Sequence, residues 1–155
     1  SILEYYNRGL GWLITSESAA DWAVPYMDSI RVHYPRREPQ GKDKSLVGIP
    51  VPLFSLVFHD ATLLVSGNTP AIIAALGGVN SGRADDTLLR ALHKQTAEMP
   101  MTKHELLSDS GLRQRSVFGD SVTVEGDIEA GTYVIKGLGG KKEIKGELVD
   151  GRMRQ

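Results

Sequence analysis

Residues 49–60, with the sequence IPVPLFSLVFHD, constrain the fold of this chain more than any other stretch. They form a nearly continuous apolar block that ends at a histidine and an aspartate. Short apolar blocks of this kind are typical of strands that are buried on both faces of a parallel sheet in α/β proteins. In such proteins, polar groups at the carboxyl ends of strands build the functional sites. The block therefore predicts a buried strand that places His59 and Asp60 at a functional edge. The alternative is a solvated strand end at which Asp60 begins a turn.

A second stretch brings a carboxylate close to aromatic residues. Residues 12–15 form a predicted short strand, and Glu17 follows near its carboxyl end. Residues 19–26 form a predicted loop or short helix that carries Asp21, Trp22 and Tyr26. The two aromatic residues are four positions apart, a spacing that places side chains on one face of an α-helix. Aromatic rings stack on the apolar face of a sugar while carboxylates bind its hydroxyls, so this segment favours a carbohydrate site. The alternative is that both aromatic residues belong to the core.

The remainder of the chain divides into a part with helical sequence patterns and a part with patterns of short strands. Residues 71–76 and 85–99 have the composition and spacing of helices, and the second of these is amphipathic. Residues 101–107 are a predicted short segment with a capped turn. After residue 112 the chain contains short predicted strands separated by Gly-Asp dipeptides, at 113–118, 121–125 and 131–135. The sequence therefore predicts α/β structure followed by antiparallel β structure, with domains at 1–108 and 109–155.

Composition excludes several classes of function. The formal net charge is −1, which gives no basis for a nucleic-acid partner. No segment reaches the roughly 18–20 apolar residues of a membrane span, so we expect no membrane partner. The chain has no cysteine, and its four histidines are scattered without metal-ligand spacing. We therefore expect neither a metal nor a cofactor.

An ordered set of motifs resembles the carboxyl-terminal part of a group of bacterial glycoside hydrolases. The set is Ser16-Glu17, residues 21–26 (DWAVPY), residues 49–54 (IPVPLF) through His59-Asp60, residues 67–70 (GNTP), residues 101–105 (MTKHE) and residues 114–120 (QRSVFGD). The group comprises enzymes similar to the endo-α-N-acetylgalactosaminidases and, more distantly, the α-amylase clan. The resemblance implies a (β/α)8 catalytic barrel followed by a β-sandwich. The chain would then hold a partial (β/α)8 barrel and the start of a C-terminal β-sandwich.

The same resemblance implies roles for individual residues. Glu17 stands where these enzymes carry the general acid/base, and Trp22, Tyr26 and Asp21 would line the sugar subsite. His59 and Asp60 match a pair that binds sugar hydroxyls and supports the positively charged transition state. The nucleophilic aspartate would lie on a strand before Ser1. From the residues alone, Glu17 and Asp60 also fit an acid–nucleophile pair.

Two functions remain open at this point. The first is a glycoside hydrolase, or a fragment of one, that acts on an oligosaccharide or glycoconjugate. The second is a non-catalytic carbohydrate-binding or assembly module that lacks the nucleophile. Half a barrel exposes strand edges. We therefore expect the chain to be part of a longer one, to self-associate, or to adopt a smaller α/β fold without a site.

Overall fold

A computed structural model describes residues 8–11, 13–17, 20–32, 49–66, 69–80, 87–149 and 152–154. It contains a three-stranded parallel sheet followed by a six-stranded antiparallel sheet. This order agrees with the predicted change from α/β to antiparallel β structure. The described residues do not form a closed barrel.

The parallel sheet consists of β1 (Thr15–Ser16), β2 (Ser29–Arg31) and β3 (Leu63–Val65), in that spatial order. Thr15 pairs with Ser29, and Ser29 pairs with Leu63, so the three strands begin at the same level. A further parallel bridge joins Val65 to Asn80. The sheet has a small apolar core of Val24, Ile30, Val32, Leu64 and Val79. All carboxyl ends of these strands therefore lie at one edge, which is called the carboxyl edge below; the opposite one is the amino edge.

The predicted strand at residues 49–60 is wrong, because its centre is the helix α1 (Leu53–Phe58). Phe54 and Phe58, four residues apart, pack against the core of the parallel sheet with ring centroids 4.9 Å apart. Leu53 and Val57, on another helical face, are 66% and 65% exposed. The exposed positions are themselves apolar, so the helical period of burial is hidden in the sequence. Leucine-rich composition with one β-branched residue favours the helix.

Two further helices cover the antiparallel sheet. Every residue of α2 (Ala71–Gly77) is buried, and the helix packs against that sheet and against α3 (Thr87–Thr96). Both predicted helices are confirmed: α2 extends one residue beyond the predicted 71–76, and α3 lies within the predicted 85–99. Gly126 allows close packing, because a Cβ at this position would lie 2.7 Å from Cγ2 of Ile72. Each fully buried Ile or Leu in this layer contributes roughly 1.5–3 kcal/mol.

Six sequential strands form the antiparallel sheet. They are β4 (Met101–Leu106), β5 (Arg113–Phe118), β6 (Val122–Asp127), β7 (Thr132–Lys136), β8 (Ile144–Val149) and β9 (Arg152–Arg154). The strands predicted near 113, 121 and 131 are confirmed, whereas the predicted capped turn at 101–107 is wrong, since these residues begin the sheet. The buried face packs on helices. The other sheet of the predicted β-sandwich is therefore not seen among the described residues.

Candidate active site

The carboxyl edge of the parallel sheet collects polar side chains from successive strands. Glu17 follows β1 directly, Arg31 is the last residue of β2, and Ser66 follows β3. Asn80 lies at the same level, since it bridges to Val65. Topology alone brings these groups together, because parallel strands end at the same edge.

Glu17 and Arg31 form an ion pair across this edge. Oε1 of Glu17 lies 3.7 Å from Nη1 of Arg31, and the two side chains are 92% and 43% exposed. The carboxylate is therefore open to a ligand from solvent while a guanidinium stands beside it. An exposed pair of this kind contributes little to stability, roughly 0–1 kcal/mol. The arrangement is better suited to binding or chemistry than to holding the fold.

The crossover from β1 to β2 carries the predicted aromatic residues. It is a 3-10 helix, Asp21–Tyr26, with Pro25 inside it. The predicted sharing of one face by Trp22 and Tyr26 is wrong, because a 3-10 helix has three residues per turn. Trp22 is 70% exposed and Tyr26 is half-buried. The carboxylate of Asp21 accepts a hydrogen bond of 2.8 Å from the backbone N–H of Trp22. Trp22 is thus a solvent-facing ring within five residues of Glu17, and it is not a core residue.

His59 and Asp60 lie at the other end of the sheet. They follow α1 and precede β3, so the prediction that they end a strand at its carboxyl edge is wrong. The two residues lie at the amino edge, whereas Glu17 lies at the carboxyl edge. The structure therefore does not bring Asp60 next to Glu17. The cause is the α1 helix, which reverses the expected position of the histidine–aspartate pair relative to the strand.

His59 is a buried core residue. Its side chain is 2% exposed, and its ring lies against Phe118 with centroids 4.9 Å apart. Nδ1 lies 2.7 Å from the carbonyl oxygen of Met99, and Nε2 lies 3.1 Å from that of Gly78. Burial lowers the pKa of His59 below 6.5, and this outweighs the opposing effect of the two carbonyl groups. Both ring nitrogens face backbone carbonyl oxygens in the interior, so the side chain does not face a ligand.

Arg31 and Ser66 were missed by reasoning from the sequence. Arg31 stands at the start of a polar segment, and nothing in the sequence shows that β2 ends there. Ser66 precedes the sequence Gly-Asn-Thr-Pro, and its buried hydroxyl is hydrogen-bonded to that of Thr69. This sequence was a usable signal, because it predicts a turn and parallel strands continue into turns at their carboxyl ends.

The outward face of the antiparallel sheet is a second polar surface. A cavity of about 530 Å³ there is lined by Lys103, Glu105, Arg115, Val117, Thr123, Glu125, Val134, Lys136, Glu143 and Lys145. Arg115 pairs across strands with Glu105 and Glu125, and Lys145 pairs with Glu143, two residues before it in the chain. Burial raises the pKa of Glu125, but hydrogen bonds from Arg113 and Arg115 outweigh it and hold that pKa below 4.5. Cross-strand pairing of this kind is typical of a solvated sheet face.

Two other features, a metal site and a membrane-spanning helix, are absent from the described residues. Within the described ranges, no three histidine, aspartate or glutamate side chains are grouped so that they hold a metal ion. Among the helices that the structure describes, none combines the length and the apolar character that crossing a bilayer requires.

Comparison with known proteins identifies similar structures. No family model matches the chain, and no curated protein sequence matches it. It is similar to the α-N-acetylgalactosaminidase NagBb from Bifidobacterium bifidum in complex with GalNAc, with a TM-score of 0.66 and 29% identity over 86% of this chain. The ligand-free form gives 0.66 and 30% over 84%, and a quadruple mutant gives 0.67 and 30% over 85%. The chain covers 24–26% of those proteins, about a quarter of their length. Its fold is thus similar to part of a glycoside hydrolase.

Proposed function

We propose that the carboxyl edge of the parallel sheet is part of a glycoside hydrolase site that binds an α-linked N-acetylgalactosamine, with Glu17 as the general acid/base. One observation carries the proposal: Glu17 is an exposed carboxylate directly after a parallel strand. Support comes from the similarity of 84–86% of the chain to an α-N-acetylgalactosaminidase. We also propose that the parallel sheet belongs to a (β/α)8 barrel and the antiparallel sheet to a separate β domain. The predicted boundary between residues 108 and 109 then moves to a position before β4, because β4 (Met101–Leu106) is already part of the antiparallel sheet.

Glu17 would act through proton transfer. Its carboxyl group donates a proton to the leaving glycosidic oxygen, and the resulting carboxylate then takes a proton from the attacking water. Arg31, 3.7 Å away, orients the carboxylate towards the sugar. The exposed ring of Trp22 offers a flat apolar surface for stacking against the pyranose, with Asp21 beside it to accept hydroxyl hydrogen bonds.

The attacking carboxylate must come from another part of the site. The two carboxyl groups of a glycosidase stand about 5–10 Å apart on either side of the scissile bond. Asp60 does not meet this requirement, because it lies at the opposite edge of the sheet from Glu17. We place the nucleophile on a strand other than β1, β2 and β3, at the same edge.

Replacing Glu17 by glutamine in the full-length protein tests this role. On an alkyl or serine-linked α-N-acetylgalactosaminide, we expect kcat to fall by about 10²–10⁴-fold while substrate binding persists. On an aryl glycoside, whose phenol leaves without protonation, the loss should be smaller. The matched control is Glu129→Gln, an exposed glutamate in the turn after β6. An equal loss on both substrates would contradict an acid role, and normal turnover would reject Glu17 altogether.

A second function is favoured by one observation, the separation of Asp60 from Glu17. Without a second carboxylate the edge can bind a sugar but not cleave it, and the chain would be a carbohydrate-binding module. Trp22→Ala should then weaken binding of an N-acetylgalactosamine-terminated oligosaccharide by about two- to twelvefold. Trp22→Phe, which keeps a ring, should retain most of the affinity. Turnover that depends on Glu17 would reject this alternative.

A further inference from the structure

His59 joins helix α1 to three other parts of the chain. The residue follows the last residue of α1, and its backbone N–H donates to the carbonyl of Ser55. Its ring reaches Met99 in the segment before β4, Gly78 after α2, and Phe118 at the end of β5. One buried imidazole therefore connects the helix of the parallel sheet to the antiparallel sheet.

The two contacts of the ring cannot both be hydrogen bonds in the neutral state. Both partners are carbonyl oxygens, which only accept, and neutral imidazole has one N–H. The carbonyl of Gly78 already receives a second histidine, since Nδ1 of His93 lies 3.0 Å from it. The contact with Met99 is the shorter, at 2.7 Å against 3.1 Å. The shorter contact with Met99 favours the tautomer of neutral His59 that carries its proton on Nδ1, with the Nε2 lone pair facing Gly78.

Adding a proton to Nε2 would let this nitrogen donate to the carbonyl of Gly78, but it would also bury a cation. The gain is one charge-assisted hydrogen bond. The cost is the desolvation of a cation in the protein interior, which is the largest influence on the charge of this ring. Of the groups in the described part of the chain, His93 on α3 and the adjacent Asp60 act on the charge of His59, in opposite directions. Asp60 is exposed, so its charge is screened by solvent. Desolvation therefore outweighs the added hydrogen bond, and the neutral ring is the stable form.

We infer that His59 makes the packing of helix α1 on the antiparallel sheet sensitive to acid. The neutral ring stabilises this contact, and a second proton on the ring weakens it. The direction of the pH dependence follows from the burial of the ring. The pKa of His59 is lowered in the folded chain, so its contribution to stability is complete above 6.5 and is lost as pH falls below 6.5. One proton taken up on opening raises the opening constant by up to tenfold per pH unit in that range.

The unaltered full chain provides the first test. Ring ¹⁵N spectra at pH 7.5 should show His59 as the Nδ1–H tautomer. Protection of the Leu56 and His59 amides against hydrogen exchange, corrected for the intrinsic pH dependence of exchange, should fall by up to tenfold per pH unit below pH 6.5. Protection in β6 should fall less. The inference is overturned if the Nε2–H tautomer is found, or if His59 titrates at 6.5 or above with unchanged protection.

A pair of variants separates His59 from the other buried histidine. Burial also lowers the pKa of His104 on β4, whose Nδ1 lies 2.9 Å from Oγ of Ser116. His59→Gln should remove most of the pH dependence of protection in α1, whereas His104→Gln should leave it in place. If His104→Gln alone abolishes the pH dependence of protection in α1, that dependence does not arise from His59 and the inference is overturned. If His59→Gln does not fold, the spectra of the unaltered chain still decide.

Discussion

Replacing Gly78 by alanine tests the packing around His59 quantitatively. Gly78 has a φ of 63°, in the left-handed region, where a residue with a Cβ costs about 1–2 kcal/mol. A Cβ there would lie 2.6 Å from Cε1 of Phe118 and closer still to Nε2 of His59. Such overpacking of a core costs about 1–3 kcal/mol. The two effects together predict a loss of about 2–5 kcal/mol, a large share of the roughly 5–15 kcal/mol that stabilises a domain.

The matched control is Gly139→Ala. Gly139 has a similar φ of 57°, but a Cβ at this position meets nothing within 4 Å. Gly139→Ala should therefore lower the free energy of unfolding only by the cost of backbone strain, about 1–2 kcal/mol. Urea unfolding of both variants at pH 7.5 measures the difference, which isolates the contact with His59 and Phe118. Equal losses in the two variants would refute the close packing described for His59.

Two further substitutions test the core and the charged sheet face. Leu92→Ala, at a fully buried position on α3, should lower the free energy of unfolding by about 2–5 kcal/mol, whereas Leu53→Ala, at an exposed position on α1, should change it by less than about 0.5 kcal/mol. Similar losses in urea unfolding would contradict the assigned faces. Glu125→Gln should cost about 1 kcal/mol at pH 7, because Arg113 and Arg115 lose a charged partner. This loss of stability should shrink in high salt, because salt screens the ion pairs. It should also shrink as pH falls below 4.5, because the lowered pKa of Glu125 contributes its full stability only above pH 4.5. A cost that is unchanged by salt and pH would contradict the pairing.

The antiparallel half of the fold was accessible from the sequence because its signals are local. Gly119-Asp120 lies in the turn between β5 and β6, as predicted, whereas the predicted turn at Gly126-Asp127 is wrong, because these are the last two residues of β6. Val122 and Val124 alternate with polar residues as one buried face requires. The helix α2 could also be predicted from local signals, since Gly78 adopts the left-handed conformation that ends the helix.

The parallel half was less accessible because its decisive contacts are distant in sequence. The apolar run at 53–58 fits a strand or a helix, and only packing of Phe54 and Phe58 on the parallel sheet decides between them. The environment of His59 depends on Met99, 40 residues away. The position of Glu17 after a strand could be predicted because it is a local property, whereas Arg31 is brought next to Glu17 by strand pairing.

We propose above all that a sugar binds at the carboxyl edge of the parallel sheet. Amide chemical-shift mapping of the full chain, titrated with an N-acetylgalactosamine-terminated oligosaccharide, tests it most directly. We predict saturable shifts at Glu17, Trp22 and Arg31, with none at Asp60 on the amino edge or at Glu125 on the outer sheet face. Shifts confined to Asp60 or Glu125, or no shifts at all, would contradict the claim.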